Sequence, residues 1–295
     1  LHAPGKPTIL LYAHHDVQPA GREEVWKSPA FEPTLREGQG GMRLYGRGTA
    51  DDKAGVVMHS SAIASMLAAS GSLPVNVKVV IEGEEESGSG GLSRFLLQYQ
   101  QKLQADVLVL ADAGNFDVGV PAITIALRGL VAVDVEVRSL KGAVHSGMWG
   151  GPIPDPVMAL SKMLASLVDD QGQIAIPGVL EQVKPITPEE RKEFDRIPYD
   201  EAGFRRQSGM VDGLQLLRKD PNPGVQVWRL PSLTITAIQA SARKTPANII
   251  NDVAWARVTI RLVKGMDPGK VQAQLLAHLK AKAPWGVDVK IKADE

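Results

Sequence analysis

Near-continuous apolar runs occupy residues 8–13, 77–81 and 107–111. Runs of this length, rich in Val, Ile and Leu, suit strands covered on both faces. Residues 53–69 and 90–103 lie between them and carry helical patterning. Alternation of strand and helix predicts a mostly parallel α/β sheet. In such sheets ligands gather beyond the carboxyl ends of the strands. His14 and Asp16, Glu85 and Glu86, and Asp112 all fall at those ends.

The texture changes after residue 127. Val131, Val133, Val135 and Val137 alternate with Ala132, Asp134, Glu136 and Arg138, the pattern of a strand with one wet face. A second such strand turns Ala256, Val258, Ile260 and Leu262 inward, and Trp255, Arg257, Thr259 and Arg261 outward. Asp155-Pro156 and Asp267-Pro268 each place an N-cap aspartate before a first-turn proline, so a helix is predicted after each. Half-buried strands with helices on one face predict an α+β domain. The polar, Pro- and Gly-rich stretch 169–231 is predicted to be irregular. The division expected is residues 1–126 and 127–295.

Length supports that division, because 295 residues is long for one compact core. Hydrophobic residues at 44% and charged residues at 22% are ordinary for a globular chain. A formal net charge of zero leaves no electrostatic footprint for nucleic acid or an anionic membrane. No apolar run approaches the ~20 residues of a spanning helix. With no cysteine in the chain, any metal must sit on His, Asp and Glu. The chain opens on Leu1 and closes soon after a strand-like stretch at 287–291, so a fragment is expected, with cytoplasmic location first and secretion as the alternative.

Several clusters can carry chemistry. His14 and Asp16, two apart on an extended segment, project together while His15 points the other way. They read as a ligand with its orienting carboxylate, or as a strand-end His and a turn-starting Asp. The run Glu82-Gly83-Glu84-Glu85-Glu86-Ser87-Gly88 follows a strand, where adjacent carboxylates repel and call for a cation; the bland alternative is a solvated acidic loop. Within the run, one of Glu85 and Glu86 can bind metal while the other acts as general base. Asp51 and Asp52 open a helix, so an N-cap with a dipole-favoured acid also explains them. Asp112 can be a turn residue. His59 is expected as a packed core histidine, His278 as a surface residue and His2 in a frayed end. His145, flanked by Gly142 and Gly147, suits a backbone approached closely by a ligand or partner.

Taken together, residues 12–19, 44–53, 82–89, 110–112, 128–129, 145–147 and 259–261 resemble the co-catalytic zinc metallopeptidase family. That family includes aminoacylase, acetylornithine deacetylase, succinyl-diaminopimelate desuccinylase, glutamate carboxypeptidase and carnosine-type dipeptidases. The Asp16-Val17-Gln18-Pro19 run, with Trp26, Pro29, Phe31 and Pro33, is most similar to the dipeptidase branch. The resemblance implies a mostly parallel-sheet catalytic domain with an inserted α+β lid, both truncated here. It implies two divalent ions, zinc first, with manganese or cobalt as alternatives. His14 and Asp112 would hold one, Asp51 would bridge, and Glu86 would hold the other. Glu85 would be the general base and Asp16 would steer the His14 ring. The Asp51–Asp52 peptide would be cis. On the lid, His145 would reach a partner subunit's site, Arg261 would hold the substrate carboxylate, and Asn248 would be a polar substrate contact, although Asn251 stands where relatives carry proline.

One departure bears on activity. The family's last metal ligand is a histidine near the C-terminus, and nothing after Asn251 matches it, so the 295 residues alone are expected to be inactive. The expected activity of the parent is hydrolysis of dipeptides bearing a free carboxylate, by a homodimer joined through the lid. N-acyl amino acid deacylation is the alternative within the same chemistry, and a non-catalytic dimerisation or binding fragment is the alternative outside it.

Overall fold

The computed structural model describes residues 3–38, 40–115, 119–217, 220–241 and 243–294, so His2 lies outside the described residues. The chain forms two compact units, residues 1–125 and 126–295.

In the first unit, strand β1 (Thr8–His14) is central to a parallel sheet. A hairpin of β2 (Thr34–Gly38) and β3 (Gly41–Tyr45) follows. Next come helix α1 (Lys53–Ser70) and strand β4 (Asn76–Glu82). Helices α2 (Leu92–Gln98) and α3 (Gln100–Leu103) lead to strand β5 (Val107–Leu110). The order β4-β1-β5 puts both later strands beside β1. α1 packs on β1, and its first turn approaches the end of β5 closely. Only glycine fits there, because a Cβ on Gly55 would lie 2.6 Å from the carbonyl oxygen of Ala111. Asp52 caps the helix, accepting from Gly55 N–H.

The second unit contains strand β6 (Gly129–Arg138), the two-residue β7 (Val144–His145) and helix α4 (Ser146–Trp149). Helices α5 (Pro156–Ala165), α6 (Pro188–Phe194), α7 (Glu201–Ser208) and α8 (Pro223–Arg229) follow. Strands β8 (Ser232–Gln239), β9 (Ile249–Ile250) and β10 (Val253–Leu262), helix α9 (Pro268–Ala281) and strand β11 (Asp288–Ala293) complete it. An antiparallel sheet, β11-β6-β10-β8, lays one face under α5 and α9. Val133, Val135, Val137, Ala256, Val258 and Ile260 meet Leu160, Met163, Leu275 and Leu279 there, all fully buried. Each such Val or Leu contributes about 1.5–3 kcal/mol. Asp155 and Asp267 cap α5 and α9 as their Asp-Pro pairs predict.

Four expectations need correction. The first-unit strands are not covered on both faces: Leu11, Ala13 and Val77 are buried, but Val79, Ile81 and β5 are exposed. Among the described residues α1 packs on β1 and no helix covers β4 or β5 comparably, and apolar composition does not show which strands a helix will cover. The helix expected over 90–103 breaks at Tyr99 into α2 and α3. Among its described residues the stretch 169–231 holds three short α-helices, each with a side-chain cap from Thr187, Asp200 or Asn222, and a 3₁₀ turn at Leu180–Gln182. His278, expected on the surface, is buried. Among the described residues no helix is long and apolar enough to cross a membrane.

Candidate metal centre

The parallel sheet sets the site. β1 ends at His14 and β4 at Glu82, in register with each other, and the chain leaves both strands at the same edge. His14 is fully buried. Its Nε2 lies 2.9 Å from Asp51 Oδ1 and 3.8 Å from both Glu85 Oε2 and Asp112 Oδ1. On the other side of the ring, Nδ1 is 3.3 Å from Asp16 Oδ1. His15 points outward and is exposed, as the two-residue period requires.

Asp16 does more than orient the ring. Its carboxylate accepts the backbone N–H of Glu86 at 2.9 Å and of Glu85 at 3.3 Å, which fixes the 3₁₀ turn Glu85–Ser87. Burial alone would raise its pKa, but these N–H donors and His14 hold it below the usual carboxylate range. The Glu86 carboxylate is gripped by Gln18, whose Nε2 donates to Glu86 Oε2 at 2.8 Å and to its backbone oxygen at 2.9 Å. Thus His14, Asp51, Glu85 and Asp112 converge, while Glu86 stands beside them on its own anchor.

The electrostatics carry one message. Burial lowers the His14 pKa, yet Asp112, Glu85 and Asp51 outweigh it and hold the imidazole above its ordinary value. Glu85 is raised, first by burial and then by repulsion from Asp112, Glu86 and Asp51. Asp112 is raised by burial and by Asp52. Carboxylates that resist ionisation around one half-compensating imidazole are a donor set short of positive charge.

One ligand atom each from His14, Asp52 and Asp112 lies within 4.8 Å of the others. Asp52 is nonetheless the weaker ligand candidate than Asp51. Its Oδ1 accepts Gly55 N–H and its Oδ2 accepts the backbone N–H of His14, so both oxygens serve the backbone. Asp51 is 67% exposed and presents Oδ1 to His14 Nε2. The peptide between the two aspartates is cis. Gly48, at φ +80°, is obligatory just upstream, since a Cβ there would meet Val17 Cγ1 at 2.2 Å.

Tyr12 and Gln18 are supporting residues to which sequence reasoning assigned no role, whereas Asp52 fills the N-cap role read from its place before the helix. The Tyr12 hydroxyl donates to Glu82 Oε2, and its pKa is raised by burial and by that carboxylate. Buried His59 meets the Tyr12 carbonyl at 3.0 Å, a packed histidine as expected. Tyr12 and Gln18 lie inside the family-like segment 12–19, the one signal that marked them.

The second unit holds the other three expected site residues. β7 pairs with β9, setting His145 opposite Ile249, and Ser146 N–H donates to the Asn248 carbonyl at 2.9 Å. His145 and Asn248 are therefore neighbours. His145 Nδ1 accepts Gly147 N–H at 3.1 Å, which leaves the proton of the neutral ring on Nε2. Arg261 is exposed on the wet face of β10.

Residues 10–292 match the model of the peptidase family M20/M25/M40. The chain belongs to that family. It is 36% identical to the cysteinylglycine-S-conjugate dipeptidase of Corynebacterium striatum over 287 residues, covering 97% of this chain and 60% of that protein. It is 34% identical to the Beta-Ala-His dipeptidase of Rattus norvegicus over 281 residues, 94% of this chain and 56% of the relative. The crystal structure of human carnosine dipeptidase 1 is similar with a TM-score of 0.85 at 31% identity, covering 98% of this chain and 61% of that one. The chain thus spans about three fifths of the length of these relatives.

Proposed function

We propose that the protein is a metal-dependent dipeptidase that hydrolyses the amide bond of dipeptides with a free C-terminal carboxylate. The observation that carries this is the convergence of Asp51, Glu85 and Asp112 on Nε2 of buried His14, with Asp16 holding Nδ1. The relatives named above, a cysteinylglycine-conjugate and a Beta-Ala-His dipeptidase, support the same reading.

The donor set fits a borderline divalent cation: one imidazole nitrogen and several carboxylate oxygens, no thiolate, and an excess of negative charge. His14 and Asp112 would hold one ion, Asp51 would be shared, and Glu86 would hold a second, with zinc first and manganese or cobalt as alternatives. When bound, such ions polarise a carbonyl and acidify water. Glu85, with its proton affinity raised by burial, removes a proton from the attacking water and returns it to the leaving amine. The Asp16 backbone oxygen, 3.3 Å from Nδ1, keeps His14 in one tautomer with the carboxylate beside it, and the carboxylate fixes the turn that aims Glu85. The free Nε2–H of His145 is suited to donate to the developing oxyanion. Arg261 can pair with the substrate carboxylate, with Asn248 as a further polar contact. We assign His145 to the site of a partner subunit in a homodimer joined through the second unit, the lid.

Elemental analysis of the whole natural protein, rather than of the 295 residues alone, together with its turnover of glycylglycine and N-acetylglycine, tests the reading. Two equivalents of divalent metal with hydrolysis of the dipeptide are expected. Hydrolysis of the N-acetyl amino acid alone would replace the dipeptidase by a deacylase. Neither metal nor turnover would sink the assignment.

A further inference from the structure

The solvent-facing side of the four-stranded sheet carries Arg138, Arg257 and Arg261, a fourth arginine, Arg128, stands just before β6, and the four divide into two kinds. Arg138 donates to Asp252 at 2.8 Å and lies 3.6 Å from Glu136. Arg257 donates to Asp134 at 2.9 Å and also reaches Asp294. Each of these guanidiniums is neutralised by two carboxylates. Arg128 and Arg261 have neither a hydrogen bond nor a carboxylate partner among the described residues.

These two unneutralised cations are neighbours. Arg261 lies opposite Leu130 on β6, and Arg128 is two residues before Leu130. The two-residue period puts Arg128 and Arg261 on one face in a diagonal cross-strand position, within reach of each other's long side chains. Burial and then repulsion from Arg261 hold the Arg128 guanidinium below its ordinary pKa. Ser232, opposite Arg261 on β8, adds a hydroxyl on the same face. Arg128, Gln226 and Ser232 are also the polar lining of a cavity of about 170 Å³, otherwise walled by side chains that include Phe204, Leu217 and Leu230.

Like charges that repel at this spacing are unfavourable unless an anion lies between them. A carboxylate offers two oxygens with about four acceptor sites, enough to take a fork from each guanidinium. A cavity beside the pair leaves room for what the carboxylate is attached to. We propose that Arg128 is a specificity residue that clamps the substrate's C-terminal carboxylate together with Arg261, the adjoining cavity receiving the C-terminal side chain. This rests on the dipeptidase reading and adds to it a second guanidinium and a preference for an apolar C-terminal residue.

The test compares glycyl-leucine with glycyl-leucinamide on wild type, Arg128→Ala and Arg128→Lys. Losing one charge-assisted pair costs about tenfold or more. The free-acid over amide preference in kcat/KM should therefore fall by about that factor in Arg128→Ala, through KM, and by less in Arg128→Lys, which keeps charge without the fork. A merely structural defect would lower both substrates together, and an unchanged preference overturns the proposal. The arginine Nε–H resonances, titrated with acetate at constant ionic strength, separate this from failure of the dipeptidase reading. If wild type turns over no dipeptide, that reading fails. The clamp still stands if acetate shifts both Arg128 and Arg261, and falls if it shifts neither or Arg261 alone.

Discussion

His14 Nδ1 lies 3.3 Å from Asp16 Oδ1, on the ring edge opposite the one that meets Asp51. The same Asp16 carboxylate accepts two backbone N–H groups of the turn bearing Glu85 and Glu86. His14 Nδ1 also meets the Asp16 backbone oxygen at 3.3 Å, so Asp16, through its main chain and its carboxylate, couples the orientation of the imidazole to the placement of the acidic pair. Asp16→Asn replaces one acceptor oxygen by a donor and weakens both duties. We expect metal affinity and kcat to fall by about 10–100-fold, the usual cost of losing a partner that orients a ligand. Metal titration by calorimetry with parallel kinetics checks this, and wild-type values in both would remove Asp16 from the site.

Glu85→Gln should separate binding from proton transfer. Metal content should persist while kcat drops by about 10²–10⁴-fold, the contribution of a general base. If turnover survives and metal is lost instead, Glu85 is a ligand rather than the base.

A complementation experiment addresses the partner subunit. His145→Ala and Glu85→Gln homodimers should each be nearly inactive. Mixed dimers should recover one working centre, because His145 and Glu85 would belong to different chains at each site. Absence of recovered activity, with mixed dimers demonstrated by mass spectrometry, would return His145 to its own subunit.

His278 provides a pH dependence of stability. It is buried in the second unit, with Nε2 3.0 Å from Ser166 Oγ and 3.1 Å from the Ser166 carbonyl. Burial, and secondarily Lys282, holds its pKa below the ordinary value. The unfolded chain, with a pKa of about 6.5, then takes up the proton first. Stability is fully present above that value and is lost as pH falls below it. Urea midpoints measured from pH 8 to pH 5 should decline more steeply in wild type than in His278→Gln. Parallel profiles would show that His278 is not titrating against folding.

Stability should also respond very differently to two Leu→Ala changes. Leu275 is fully buried against the sheet, and Leu97 is 76% exposed. Leu275→Ala should cost about 2–5 kcal/mol, the sum of lost transfer energy and the cavity left behind. Leu97→Ala should stay within about 0.5 kcal/mol. Chemical denaturation of both variants measures the contrast.

The chain's own pattern was enough to place β1, β4 and β5 within a residue of their observed limits, and to cap α5 and α9 at Asp155 and Asp267. Those features are local: apolar run length, alternation and cap chemistry act over a few residues. It also marked the strand ends where His14, Glu85 and Asp112 emerge, because βαβ alternation dictates that parallel strands finish at one edge. Burial was less legible. A covered and an uncovered strand share the same apolar composition, so the exposure of Val79, Ile81 and β5 was set by where the helices pack, α1 lying against β1. His278 sits one position off the apolar stripe of α9, and only the approach of Ser166 from the end of α5 turns that position inward. Asp51 and Asp52 are indistinguishable as adjacent acids. Tertiary structure separates them, because the two oxygens of Asp52 are taken by Gly55 and His14 N–H while Asp51 faces the ring. Arg128 and Arg261 stand 133 positions apart (261 − 128), and strand pairing across β6 and β10 alone makes them neighbours. Residues that act together through space leave no periodic trace in the chain, which is why the elements were readable and their partnerships were not.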